Sequence, residues 1–331
     1  MSITRRDFLA ASAASATLAQ TALPDDPPPA RPALVAITLD LEMSRNFPTW
    51  TDTHWDYEKG NLNDETKRYT VEACRRIRRA GGVAHCFAVG RVFEQADVSW
   101  LRGIVQQGHA VGNHTYDHVN LLARGLEDIQ FRFRRCPWLI EGKNAPQVIR
   151  ENIGLCTAAL RTRVGIGPVG FRTPGGFQNG LRERDDLQRM LQDLGFTWVS
   201  SLYPAHAVGP AQEEPTNAVL QSIVAAQANA QPFVYPGGLV EIPMSPISDI
   251  GAFRTGRWRL DWFMNAIRRS LQWCIDNRAV FDFLCHPSCM YVVDPQFRTI
   301  EMICDMVRQA GEERATIVTL DRIAAMAGRA P

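Results

Sequence analysis

Leu34-Val35-Ala36-Ile37-Thr38-Leu39 is an apolar run with β-branched residues, and Asp40-Leu41-Glu42 follows it directly. The run reads as a buried strand. Acids at its end matter, because in α/β folds the chemistry lies at the carboxyl ends of strands. Side chains on an extended segment alternate, so Asp40 and Glu42 point to one side and Leu41 to the other. Outward from this stretch, helical and strand-like segments alternate. Asp64–Arg79 has helical spacing with Asp64 as its N-cap, 83–89 reads as strand, 92–107 largely as helix and 109–112 as a short strand. Residues 146–161 read as helix, 170–172 as a strand end, 187–194 as helix, 196–200 and 239–242 as strands. Residues 260–277 read as a long helix, Val280–Cys285 as strand, 299–309 as helix and 315–320 as the last strand. Residues 205–232, rich in Ala, Pro and Gln, read as a long loop or surface insertion. The alternation predicts an α/β fold with a parallel sheet of about seven strands, an incomplete (β/α) barrel.

The composition agrees with a globular enzyme-sized chain. Of 331 residues, 45% are apolar and 21% charged, which excludes disordered, collagen-like and coiled-coil classes. The net charge is +1 and becomes zero once Arg5, Arg6 and Asp7 are set aside, so nothing electrostatic favours nucleic acid or an anionic membrane. Lysine is scarce: only Lys59, Lys67 and Lys143 occur. The eight cysteines include no C-x-x-C pair, which argues against zinc-ribbon and thioredoxin readings and favours buried free thiols.

Thr4-Arg5-Arg6-Asp7-Phe8-Leu9 followed by a mild Ala/Ser-rich run resembles a twin-arginine export signal. Residues 1–22 are expected to be that signal, 23–32 a Pro-rich linker and 33–331 the catalytic domain. The expected location is the periplasm or the extracellular space, with no stable membrane insertion once the signal is cleaved.

Polar residues follow the other strands too. His114-Thr115-Tyr116-Asp117-His118 follows the third, Arg172-Thr173-Pro174-Gly175 a middle one and His286-Pro287 a late one. Histidines at i and i+4 on one helical turn project from the same face, close enough to bind one metal ion. A carboxylate from elsewhere completes a two-histidine, one-carboxylate site with open positions.

These motifs resemble the polysaccharide deacetylase family, carbohydrate esterase family 4, with its NodB homology domain. The family's His-(Ser/Thr)-x-x-His is His114–His118 within a Gly-His-x-x-Gly-Asn-His context, and its Arg-x-Pro-x-Gly is Arg172–Gly176. Its Leu-x-His is Leu284-Cys285-His286, its Thr-Phe-Asp-Asp is matched loosely by Thr38–Glu42, and its closing strand resembles 317–321. The resemblance implies the NodB-type distorted barrel. It implies a divalent metal, zinc first, on Glu42, His114 and His118, with Asp40 as general base and Arg172 paired to it. It implies His286 as general acid, and Pro174, Trp198, Leu284 and Tyr203 around the substrate. A backbone amide near Tyr203 or Arg172 is expected at the oxyanion. The implied partner is an N-acetylated glycan.

Two departures stand out. The family's metal carboxylate directly follows the base, where this chain has Leu41. The Asp-x-acid spacing resembles a peptidoglycan deacetylase and allantoinase-like branch, part of which works without metal, so metal independence stays open. The acid that orients His286 is also open. Asp282 lies on the same strand face by its even offset, and Asp249 is the other candidate. Trp50 and Trp55, just after the first motif, are candidates for lining a glycan groove. The leading reading is an exported metal-dependent N-deacetylase. The alternatives are an amidohydrolase on a small cyclic amide or ureide and a non-catalytic glycan-binding protein on the same fold.

Overall fold

A computed structural model describes residues 31–328. The expected signal segment 1–22 and most of the linker lie outside the described residues. Nine strands form one sheet: β1 (Ala33–Leu41), β2 (Ala84–Ala88), β3 (Ala110–Asn113), β4 (Gly170–Phe177), β5 (Trp198–Leu202), β6 (Phe233–Val234), β7 (Val240–Glu241), β8 (Val280–Cys285) and β9 (Ala315–Ile317). The order is β6-β7-β5-β4-β3-β2-β1-β8, with β9 on β1. All ladders are parallel except the β6–β7 hairpin. The helices are α1 (Asp64–Arg79), α2 (Ser99–Gln106), α3 (Phe131–Arg135), α4 (Ala145–Arg163), α5 (Asp185–Asp193), α6 (Asn217–Ala226), α7 (Leu260–Asp276), α8 (Pro287–Val293), α9 (Arg298–Ala310) and α10 (Leu320–Ala327). This mostly parallel sheet curls into an incomplete barrel, as the alternation of segments predicts, and it is of the NodB type that the motif resemblance implies. No helix among the described residues is long and apolar enough to cross a membrane.

Several elements differ from the sequence reading. Asn63, not Asp64, caps α1, because its side chain accepts the Thr66 N–H at 2.9 Å. The expected helix over 92–107 is a 3-10 turn at Gly90–Glu94 and then α2. The expected surface loop contains α6, which buries Val219, Leu220 and Ile223 in the core. The last strand ends at Ile317, and Thr319 caps a further helix, α10.

Parity along the strands sorts the side chains. Val35, Ile37, Leu39 and Leu41 pack outward in a core that includes residues of α1, α2, α7 and α9. Phe171 and Val199 pack with α4 and α5. The inward side chains form layers. At the floor, Leu34, Ala36, Phe87, Trp198 and Val240 meet Leu320, Ile323 and Ala324 of α10, which plugs the end. Glycine makes room here: a Cβ on Gly170 would stand 1.8 Å from the Trp198 ring, and one on Gly112 would stand 2.7 Å from Phe87. Above the floor sits a polar layer of Thr38, Arg172 and Asp282. Asp40, Glu42, His114 and His286 stand at the mouth. Among the described residues no ladder joins β7 to β8. The Ser245 N–H donates to the Asp282 carbonyl at 3.1 Å instead.

Candidate active site and metal centre

The mouth gathers residues from four strand ends. Asp40 and Glu42 lie at the end of β1, both nearly fully buried, and Leu41 faces the outer core, as alternation predicts. His114 and His118 follow β3 on a loop rather than on the expected helical turn. Thr115 and His118 adopt left-handed backbone, φ 61° and 59°. Local hydrogen bonds hold that geometry. Asn113 Oδ1 accepts the Thr115 N–H at 2.8 Å, and Thr115 Oγ1 accepts the Val119 N–H at 3.0 Å. Asn152 Oδ1 accepts the N–H groups of Tyr116 and Asp117, each at 2.8 Å, while Asp117 also pairs with Arg132.

The two imidazoles converge on Glu42. His118 Nε2 lies 2.5 Å from Glu42 Oε2, His114 Nε2 lies 3.9 Å from the same oxygen, and one ligand atom from each of the three residues falls within 4.8 Å of the others. His114 Nδ1 stands 3.0 Å from the Arg172 carbonyl. A carbonyl only accepts, so Nδ1 carries the proton and Nε2 presents its lone pair to the centre. Burial, with His118 close by, holds the His114 pKa well below the ordinary range; burial also lowers that of His118. Burial works to raise the Glu42 pKa, but His118, Lys59 and His286 hold it well below the usual carboxylate value. Two neutral imidazoles and one carboxylate are the protonation states a divalent cation needs. Glu42 Oε2 is buried and receives no aligned hydrogen bond. The residues therefore fit a divalent cation.

Asp40 sits beside this trio, with Oδ2 3.7 Å from His114 Nε2. Burial pushes its pKa up to about 7, against the pull of Arg172 and His286. Arg172 is fully buried and its guanidinium lies over the Phe87 ring. Nη2 pairs with Asp282 Oδ2 at 2.5 Å, Nη1 donates to Thr38 Oγ1 at 3.0 Å, and Nη1 reaches Asp40 Oδ1 only at 3.5 Å. The expected Arg172–Asp40 pair exists as the longer arm of a shared arginine. Thr38 Oγ1 donates to Asp282 Oδ1 at 2.8 Å, so Asp282 is committed to the polar layer.

His286 follows β8 and caps α8. Its Nδ1 lies 2.9 Å from Asp249 Oδ1, and its backbone N–H donates to Asp249 Oδ2 at 2.7 Å. Asp249, not Asp282, orients this ring and turns Nε2 toward Glu42 Oε1, 3.8 Å away. Burial pulls the His286 pKa down, but Asp249, Glu42 and Asp40 raise it on balance.

A cavity of about 800 Å³ opens beside the centre, with His118, Lys59, Trp50, Arg254 and Pro174 among its walls. The β4–β5 register shifts between Arg172 and Phe177, which carries Pro174 and Gly175 to that wall. The other expected substrate contacts do not line it. Trp198 is 1% exposed at the barrel floor, where its indole N–H donates to Asp321 at 3.0 Å. Leu284 is buried inside the barrel, level with Thr38. Tyr203 gives its backbone N–H to the Phe177 carbonyl at 2.9 Å, so that amide is not open to an oxyanion. Trp50 lies at the cavity with Arg257 over its ring, whereas Trp55 is tied back to the Phe47 carbonyl. Lys59 was not singled out by sequence, although it contacts Glu42 at 3.1 Å. Its rarity among arginines was the one available signal. All eight cysteines are free, and seven are buried.

Residues 57–199 match the family described as polysaccharide deacetylase. Over that segment the chain is similar to the polysaccharide deacetylase family. The match includes both histidines and Arg172; Asp40, Glu42, Asp249 and His286 lie outside the matched residues, and the geometry brings them to the same mouth. The chain is 29% identical over 108 residues to the chitooligosaccharide deacetylase of Azorhizobium caulinodans, covering 31% of this chain and 51% of that one. It thus spans about half the length of the curated relative it matches. A Mycobacterium smegmatis protein assigned to the polysaccharide deacetylases superposes with a TM-score of 0.61 at 16% identity, over 91% of this chain and 92% of the other. The allantoinase Puue superposes with a TM-score of 0.56 at 13% identity, over 90% and 91%. At those identities both likenesses concern the fold alone, and one architecture serves both.

Proposed function

We propose that the chain is an exported, metal-dependent hydrolase that removes N-acetyl groups from an N-acetylated glycan. The observation that carries this reading is the convergence of Glu42, His114 and His118 between an oriented base and an oriented acid. Glu42, His114 and His118 would hold the cation, zinc first by its affinity for imidazole and carboxylate. A divalent cation there supplies Lewis acidity toward the acetamide oxygen and the attacking water. Asp40, aimed by Arg172, takes the proton of that water. His286 holds a proton on Nε2, steadied through Nδ1 by Asp249, and passes it to the leaving amine nitrogen as the carbon–nitrogen bond breaks. The cavity beside His118, with Trp50 and Pro174 in its wall, receives the sugar.

Acetate release from chitin oligomers, peptidoglycan and xylan, with and without chelator, tests this. Release from at least one glycan, abolished by chelator and restored by Zn²⁺, is expected. Activity on allantoin with no release from any glycan would replace the reading by the ureide alternative. Export is proposed from Arg5 and Arg6. Changing both to lysine should leave the protein inside the cell, and unaltered export would remove the twin-arginine assignment.

A further inference from the structure

The two oxygens of Glu42 keep different company. Oε2 faces His118 and His114, while Oε1 lies 3.1 Å from Lys59 Nζ and 3.8 Å from His286 Nε2. Lys59 is buried, and its backbone carbonyl accepts the Met43 N–H at 2.8 Å, which ties the amine to the residue next to Glu42. Among the described residues it is the one lysine or arginine that both touches Glu42 and lines the cavity. Packing alone does not account for an ammonium here, since it repels a divalent ion and is costly to desolvate.

We propose that Lys59 is a positioning residue that reserves Oε1 and leaves Glu42 a single oxygen to offer the cation. The inference rests on the metal-centre reading above. A carboxylate bound through both oxygens fills two coordination positions, and one bound through a single oxygen leaves a position for water or substrate. Lys59 thereby keeps the site open while weakening its hold on the ion.

Lys59→Met removes the charge and keeps most of the stem. Its Zn²⁺ dissociation constant, measured by competition with a chromophoric chelator, should fall about tenfold as the like charge is lost. The visible absorption of its Co²⁺ form should weaken as Glu42 turns both oxygens inward and the coordination number rises. Lys59→Arg should resemble wild type in both readouts. A merely structural lysine would show the opposite sign, with looser metal and a lower melting temperature. That result overturns the proposal, as does unchanged affinity and absorption in a Lys59→Met protein that melts like wild type. A wild-type crystal soaked in Zn²⁺ tests it without any variant. One Glu42 oxygen should lie about 2.0–2.2 Å from the ion with the other still on Lys59, and bidentate Glu42 overturns the proposal. None of these measurements uses substrate, so acetate release with bidentate Glu42 sinks this inference alone. A wild-type chain that takes up neither Zn²⁺ nor Co²⁺ sinks it together with the metal centre.

Discussion

Asp40 and Asp282 share Arg172 unequally, and the shorter arm goes to the residue farther from the mouth. Burial raises the Asp40 pKa to about 7 and the longer Arg172 arm offsets it only in part, so the ion-free protein holds a proton there up to about that pH. A cation beside it favours the ionised form. Zn²⁺ binding at pH 6 should release about one proton from this carboxyl, and binding above pH 8 should release none from it; calorimetry in buffers of different ionisation heat reads the difference. Asp40→Asn should keep the fold and lower turnover roughly 10²–10⁴-fold, and near-wild-type acetate release by that variant would remove Asp40 as base. His286 must be protonated to act as an acid, so activity is lost as pH rises through its pKa. Asp249 raises that pKa, so Asp249→Asn should move the alkaline limb of the rate profile to lower pH. An unmoved limb would separate Asp249 from the acid. Asp40, His286, His114 and His118 were legible in sequence as candidates because each stands at the end of a strand or just after it. The orienting acid was not. Asp282 shares a strand face with His286, but four residues of strand span about 13 Å, whereas Asp249 arrives from a different segment to 2.9 Å. Lys59 was hidden for the same reason, because only the folding back of the segment after β1 brings it to Glu42.

At the scale of elements, β1 shows how much alternation alone can decide. Its odd positions were legible as wall and its even positions as interior, and Glu42 reaches the histidines because Leu41 does not. Leu41 is fully buried in the outer core. Leu41→Ala should cost about 2–5 kcal/mol through the cavity it leaves, and Leu41→Asp more, since the carboxylate would be buried without a partner. Chemical denaturation measures both, and a Leu41→Asp protein of wild-type stability would contradict the outward orientation. The histidine pair was read on the wrong element. Spacing of i and i+4 suits a helical turn, yet a tight loop with two left-handed residues brings the rings together just as well. The Asn113 and Asn152 side chains that force this loop carry no periodic signal. Segment α6 was missed because its Ala- and Gln-rich flanks mask Val219, Leu220 and Ile223, and α10 because its first residue, Leu320, continues the apolar run of β9.

For the whole molecule, the barrel floor ties part of the acid stability to a buried neutral histidine. His85 is buried, its Nδ1 accepts the Leu320 N–H at 3.3 Å at the start of α10, and burial pulls its pKa down to about 4. The folded state thus favours the neutral ring. Its contribution is whole above about pH 6.5 and drains away as pH falls toward about 4. Carboxyls whose pKa values burial raises, Asp40 and Asp282 among them, act in the opposite direction. The prediction is therefore a difference: His85→Gln, which keeps an acceptor for Leu320, should lose less stability between pH 6.5 and 4 than wild type. Denaturant midpoints across that range measure it, and parallel curves would remove His85 from the acid transition.

Of the nine strands described, the one at the hub of the sheet is also the first to be synthesised. β1 needs β8 on one side and β9 near its start, and the Thr38–Asp282 bond spans 244 positions of chain. At about 5–20 residues per second, translation needs on the order of 10–50 s to deliver those partners after β1 emerges. Until then the nascent chain has Asp40, Glu42, His114 and His118 but lacks Asp249, Asp282 and His286. Such long-range closure is slow to form, and it means that the polar layer of Thr38, Arg172 and Asp282 cannot close until β8 has been synthesised.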